Sequence, residues 1–174
     1  TLQYSAISDY SDAYLAALKR AVSGSGIAAL HHTLTLYSIE RSRHFLIRQE
    51  YDHVLTMWEH MLADKKEHLH QLEAFTTRPL PDFILFFSVF EQHDPLPVLN
   101  MVNSSLRSGD DRARLSSYLI RGVLKCYNGN YNPHYLTGLG ASLWIVETYY
   151  DQPVIVLNGL RQYLDFFFSG IRAV

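Results

Sequence analysis

From Glu50 to Phe75 the chain runs twenty-six residues, EYDHVLTMWEHMLADKKEHLHQLEAF, without a glycine or proline. A breaker-free run of this length, with apolar residues three and four apart, predicts a helix and is the strongest constraint on what the chain can fold into. Wound at about 100° per residue, it puts Val54, Leu55, Trp58, Met61, Leu62, Leu69 and Leu72 in one arc. His53, His60, Asp64, Glu67 and Gln71 fall on the opposite side. Lys65 breaks the separation, because it lands inside the apolar arc with His68 at its edge. An inward ammonium either snorkels outward along its neighbours or is paired inside.

The flanking sequence reads as further helices. Ser8-Asp9 or Ser11-Asp12 can cap a first helix ending near Val22, with Tyr14, Leu15, Leu18 and Val22 on one face. Ser23-Gly24-Ser25-Gly26 follows as a joint. A second helix is predicted from Ile27 to about Ile47; its β-branched residues would also suit a strand, but its length and lack of breakers favour helix. The 50–75 helix follows at once, so these two should lie antiparallel as a hairpin. Arg78-Pro79-Leu80-Pro81 is a stop. Short helices are predicted in PDFILFFSVF and over Val98–Leu106, and longer ones over Arg112–Tyr127, Tyr135–Tyr150 and Val154–Ser169. The expected fold is all-α: one domain across 1–174, with 1–24 as an extension helix and 27–174 as a bundle of four main helices with additional short ones.

Composition narrows the function classes. With 48% apolar and 18% charged residues the chain can build a core. Its net charge of −2 offers no electrostatic footprint for nucleic acid, and the cluster Arg41, Arg43 and Arg48 reads as a solvated face. Twelve Tyr and nine Phe suit a packed interface, a membrane surface or a crowded core. Cys126 is the only cysteine, which excludes an internal disulfide and a cysteine-based zinc cage. The apolar patches Phe83–Phe90 and Tyr163–Ile171 fall short of the roughly eighteen residues that span a bilayer. A start at Thr1 fits a mature chain whose targeting segment has been removed, or equally a trimmed chain.

Candidate chemistry is sparse. Glu50/His53 and Glu67/His70 have the i, i+3 spacing with which bundles hold paired metal ions. Their helical phase, away from the apolar arc, points them to solvent or a partner instead. His31-His32 could supply one inward imidazole, although a satisfied core or surface histidine is the commoner reading. No nucleophile elbow or phosphate-cradling glycine loop occurs. Tyr149-Tyr150 and Phe166-Phe167-Phe168 read as core and interface packing, with a hydrophobic ligand slot as the sharper alternative.

The run MWEHMLADKKEHLHQLEAFTTRPLPDFILFFSV resembles the second helix and crossover of the demethoxyubiquinone hydroxylases, ferritin-like di-iron enzymes of ubiquinone biosynthesis. It shares a Met-Trp early in the helix, an acidic-His-Leu near its end, then Arg-Pro and an apolar segment. RGVLKCYNGNYN is similar to the family's third bundle helix and ETYYDQ to its fourth. The resemblance implies a ferritin-like four-helix bundle. Two iron ions there require four carboxylates and two histidines, since hard cations take anionic oxygen ligands with imidazole.

This sequence departs from that pattern at most ligand positions. The second-helix histidine corresponds to His68, but its partner carboxylate corresponds to Lys65. The third-helix carboxylate falls on Arg121 or Gly122, the fourth-helix histidine on Tyr149 or Tyr150, and the first-helix glutamate among Ala29, Leu30 and His31. His68 and Glu147 alone survive. Cations at ligand positions would repel metal ions in a poorly solvated interior. The resemblance therefore implies a degenerate site of Lys65, His68, Arg121, Glu147 and Tyr150, with Lys65 and Arg121 paired to Glu147 or to tyrosine hydroxyls, no metal and no cofactor. The expected function is a non-catalytic accessory subunit of a mitochondrial inner-membrane complex, of respiratory-chain or ATP synthase type. Its partners would be other subunits and a lipid surface. The alternatives are an active di-iron or quinone-binding hydroxylase using Glu50, His53, Glu67, His68, His70 and Glu147 with iron or quinone, and a soluble helical adaptor.

Overall fold

The computed structural model describes residues 8–70, 77–106, 112–127 and 132–172. Among these it is all-α: α1 (Ser8–Val22), α2 (Gly26–Ser42), a 3-10 turn at Arg43–Phe45, α3 (Arg48–Leu62), α4 (Phe83–Phe90), α5 (Pro95–Leu106), α6 (Arg112–Cys126), α7 (Pro133–Thr148) and α8 (Pro153–Arg172). Local chemistry fixes most starts. Asp82 accepts the Leu85 N–H at 2.9 Å to cap α4, and Asn132 accepts the His134 N–H at 3.0 Å to cap α7. Pro95, Pro133 and Pro153 occupy first helical positions, where no N–H is needed.

The organising element is α8 rather than the 50–75 segment. It packs against α1, α2, α5 and α7, while α6 bridges α4 and α7. Ile155, Val156, Leu157, Leu160, Tyr163, Leu164, Phe167 and Phe168 are all buried, so α8 is covered most of the way round, as a core helix must be. Arg161 and Asp165 mark its wetter edge, paired at 3.7 Å, a contact of small energetic weight at the surface. Gly138 lets α7 approach closely: a Cβ there would stand 2.9 Å from the Tyr163 ring. Tyr163 in turn donates its hydroxyl to the Tyr135 carbonyl at 2.9 Å, joining α8 to α7 through the buried core.

Two polar side chains of α8 hold the chain around it. Gln162 is 2% exposed; its Nε2 donates to the carbonyls of Ala21 (2.9 Å) and Gly24 (3.1 Å), and its Oε1 accepts the Thr33 hydroxyl at 2.7 Å. One side chain thus closes the end of α1 and ties it to α2. Asn158 clamps the non-helical chain at His70: Oδ1 accepts the His70 N–H and Nδ2 donates to the His70 carbonyl, both at 3.0 Å.

That clamp corrects the predicted 50–75 helix. The helix ends at Leu62, where the N–H groups of Ala63 and Lys65 turn back to His60 and Leu62, and residues 66–70 have no regular secondary structure. The Asp64–Glu67 charge run has no apolar face to bury, and a helix that buries nothing is not held by propensity alone. Here the backbone finds tertiary partners instead, with the His68 N–H going to Ser23 Oγ at 3.0 Å and His70 to Asn158. Residues 71–76, including Leu72 and the predicted end at Phe75, lie outside the described residues. Of the predicted inward arc Leu55 and Leu62 are buried, but Val54 and Met61 are exposed. The expected α2–α3 hairpin is also modified, since α3 packs mainly on α1. The extension helix is therefore an integral layer of the fold.

Candidate functional site

Lys65 is exposed in the turn after α3, not directed inward. The phase argument fails there because the helix it assumed stops three residues earlier. Arg121 sits on the outer face of α6 with its guanidinium 3.6 Å from the Phe83 ring centroid. Glu147, near the end of α7, pairs with Arg112 at 3.3 Å and accepts the Ser116 hydroxyl at 2.7 Å. It therefore meets neither Lys65 nor Arg121, which corrects the expected pairing. His68 is exposed, in edge contact with His70 at 5.0 Å between ring centroids, and Tyr150 lies half-buried in the turn after α7. Lys65 and His68 follow α3, which packs on α1 and α2, whereas Arg121 is on α6, which packs on α4 and α7.

The i, i+3 pairs separate as well. Glu50 caps α3 by accepting the Ile47 N–H at 3.1 Å, while His53 is exposed. Glu67 and His70 lie on non-helical chain, where a three-residue spacing no longer places them on one helical face. Among the described residues no group of three or more His, Cys, Asp or Glu side chains is arranged to hold a metal ion.

Two constellations arise that sequence spacing hid. His31 of α2 and His134 of α7 face each other with Nε2 atoms 3.3 Å apart, one ring donating where the other accepts. His32 instead lies edge-on to Trp58 at 5.8 Å. Burial, and then the charge of Lys65 and of His31, lower its pKa from 6.5. The sign follows from linkage: as pH falls below 6.5 the unfolded chain takes up a proton that the folded imidazole resists, so stability is lost in acid and unaffected above neutrality. His32→Gln is expected to flatten this acid limb of stability against pH, read as urea midpoints between about pH 5 and 7.5.

The second constellation is an aromatic cleft of about 360 Å³ whose walls come from α1, α2, α3 and the end of α7. Trp144 meets Tyr14 at 6.1 Å and Tyr149 at 5.6 Å, both rings within a few degrees of perpendicular to the indole. Glu40 stands among them, accepting the Tyr51 hydroxyl at 3.0 Å and an Arg43 contact at 3.5 Å. Burial and the Glu40 charge push the Tyr149 phenol up to about 12, and the Tyr51 phenol is raised by the same two causes. These hydroxyls therefore stay neutral and serve as donors and packing surface.

The surface itself is unusual along α4 and α6. Ile84 is 82% exposed and Leu124 58% exposed, with Leu85 and Ile120 beside them in sequence on the same helices. Arg121 and Lys125 lie over the Phe83 ring, and Lys125 also over that of Phe87, so this face joins apolar side chains to two cations. A second exposed apolar group, Phe45, Ile47, Met57 and Met61, runs from the 3-10 turn along α3. No helix among the described residues is long and apolar enough to cross a membrane.

No protein-family model, curated protein or solved structure matches this chain.

Proposed function

We propose that the protein is a non-catalytic accessory subunit of a mitochondrial inner-membrane complex, of respiratory-chain or ATP synthase type, with a ferritin-like bundle derived from a quinone hydroxylase. The observation that carries the docking role is the α4–α6 face, where Ile84, Leu85 and Leu124 remain exposed although the same two helices bury Phe86, Phe90 and Leu119. Large apolar side chains left in water on two packed helices mark a binding surface. The mitochondrial location and the ancestry rest on the resemblance of the 57–89 run alone. The non-catalytic reading is supported by the dispersal of the carried-over positions: Glu147 serves Arg112 and Ser116, Arg121 covers Phe83, and Lys65 is in a solvent-exposed turn.

Tagged protein, expressed in its native cells and extracted from mitochondrial membranes in mild detergent, is expected to migrate in an assembly far above its own 20.0 kDa. Ile84→Glu/Leu124→Glu is expected to release it as a folded, smaller species, because both side chains are already in water in the isolated chain. Migration of the wild-type chain at its own mass, or about two iron ions per purified chain, would overturn the reading; the second result would restore the hydroxylase.

A further inference from the structure

The cleft around Trp144 has features of a cation receptor, a role independent of the docking function above. Three properties decide what would fit it. First, Tyr14 and Tyr149 both pack edge-to-face with the indole, at 89° and 87°, which gives the cleft a largely aromatic lining. Second, the lining carries the carboxylates of Asp12 and Glu40 against the single guanidinium of Arg43, which leaves it net negative. Third, two of its tyrosine hydroxyls are committed internally. Tyr14 donates to the Leu36 carbonyl at 2.6 Å, and Tyr51 donates to Glu40 at 3.0 Å.

A primary ammonium, a compact and strongly hydrated charge, would pair with a lining carboxylate and gain little from the ring faces. A methylated ammonium has few or no N–H donors, is weakly hydrated, and is stabilised by ring faces and diffuse negative charge. The volume of about 360 Å³ is at the small end of ligand pockets, which suits a compact head group. The protein already places a weakly hydrated cation here: Arg43 lies 5.8 Å from the Tyr51 ring centroid and 3.5 Å from Glu40. It is part-exposed on the 3-10 turn, so it can swing out when a better cation arrives.

We propose that this cleft binds a quaternary methylammonium group, held by Trp144, Tyr14 and Tyr149 and neutralised by Glu40, with Arg43 as the internal cation it displaces. Trp144 reports on the site directly once Trp58, the other tryptophan, is replaced. In Trp58→Phe protein, choline and tetramethylammonium are expected to change Trp144 fluorescence saturably. The neutral isostere 3,3-dimethylbutanol should bind at least ~10-fold more weakly, since the charge on the rings is what is lost. Arg43→Gln should tighten choline several-fold, and Glu40→Gln should weaken it by about tenfold. A merely structural Arg43 predicts no tightening. Far-UV circular dichroism checks each variant, and the part-exposed Arg43 position keeps the test usable if Glu40→Gln does not fold.

Phosphocholine separates two sources of the same group. For a lipid head group the phosphate pairs with Arg43, so Arg43→Gln should weaken phosphocholine while tightening choline. Tightening of both assigns the free cation. Equal binding of choline and its neutral isostere would reduce the cleft to an apolar slot and overturn the proposal. So would the lack of any saturable signal in both the Trp58→Phe protein and its Arg43→Gln derivative.

Discussion

Gln162→Leu is expected to destabilise the protein by about 2 kcal/mol. Leucine matches the shape and would add apolar burial, so a packing argument alone predicts a neutral change. The outcome turns on what the amide leaves behind. The Ala21 and Gly24 carbonyls lose the amide they share, the first keeping the Gly24 N–H at 3.4 Å, and the Thr33 hydroxyl loses its acceptor. The hydroxyl can turn back to a carbonyl of its own helix. The contact left to the Ala21 carbonyl, in the last turn of α1, is a long one, and the Gly24 carbonyl turns to water. Three hydrogen bonds at about 0.5–1.5 kcal/mol each outweigh what the added methyl groups return. Gln162→Glu should be worse near neutral pH, because it aims a carboxylate at two carbonyl oxygens. It should recover partly in acid, where the protonated carboxyl can donate again. Urea midpoints of the three proteins at two pH values test the order.

The same residue shows which parts of the fold are legible in sequence. Boundaries marked by local chemistry can be read directly: the Ser23–Gly26 joint, Asp82 before α4, and Arg112 at the start of α6 lie where the composition places them. The all-α class follows from the same signals. The end of α3 has no local mark. Nothing in ADKKEHLH requires a helix to stop, and the partner that takes up its backbone N–H, Asn158, is 88 residues away from His70. The central role of α8 is hidden for a related reason. Asn158, Gln162 and Asp165 give it the look of a half-solvated helix, yet the first two are buried because they complete backbone hydrogen bonds of other segments. Polar residues used as structural staples cannot be told from solvated ones by periodicity.

The candidate sites follow the same rule. Positions chosen by i, i+3 spacing or by resemblance scatter over the surface once α3 ends at Leu62. The groups that do meet come from distant parts of the chain: His31 with His134 across 103 positions, and Glu40 with the ring of Trp144 through Tyr14 and Tyr149. The excess of tyrosine pointed to a packed interface or a crowded core; part of it lines a cleft instead. Only the packing of the α7–α8 turn against α1 and α2 brings those rings together.

Phe90→Ala is expected to cost about 3–5 kcal/mol, although α4, the helix it ends, has only eight residues. Phe90 is fully buried and connects three elements: its ring meets Phe168 of α8 at 5.0 Å, Phe86 of its own helix at 5.9 Å, and the α6 backbone at Gly122. A Cβ at Gly122 would stand 3.1 Å from that ring, so the glycine is the space the phenyl group needs. Two consequences separate a packing contact from general fragility of α4. Gly122→Ala alone should destabilise, because it crowds the ring, but added to Phe90→Ala it should cost less or help, since its methyl enters the vacated volume and raises helix propensity. Ile84→Lys on the same short helix should change stability by under about 0.5 kcal/mol, because that side chain is already in water. Denaturant unfolding of the four proteins resolves the cycle. Additive losses at Phe90 and Gly122 would show that the ring does not fill the space the glycine leaves. A large loss at Ile84 would show that the outer face of α4 is covered within the isolated chain, leaving no apolar surface there for a partner.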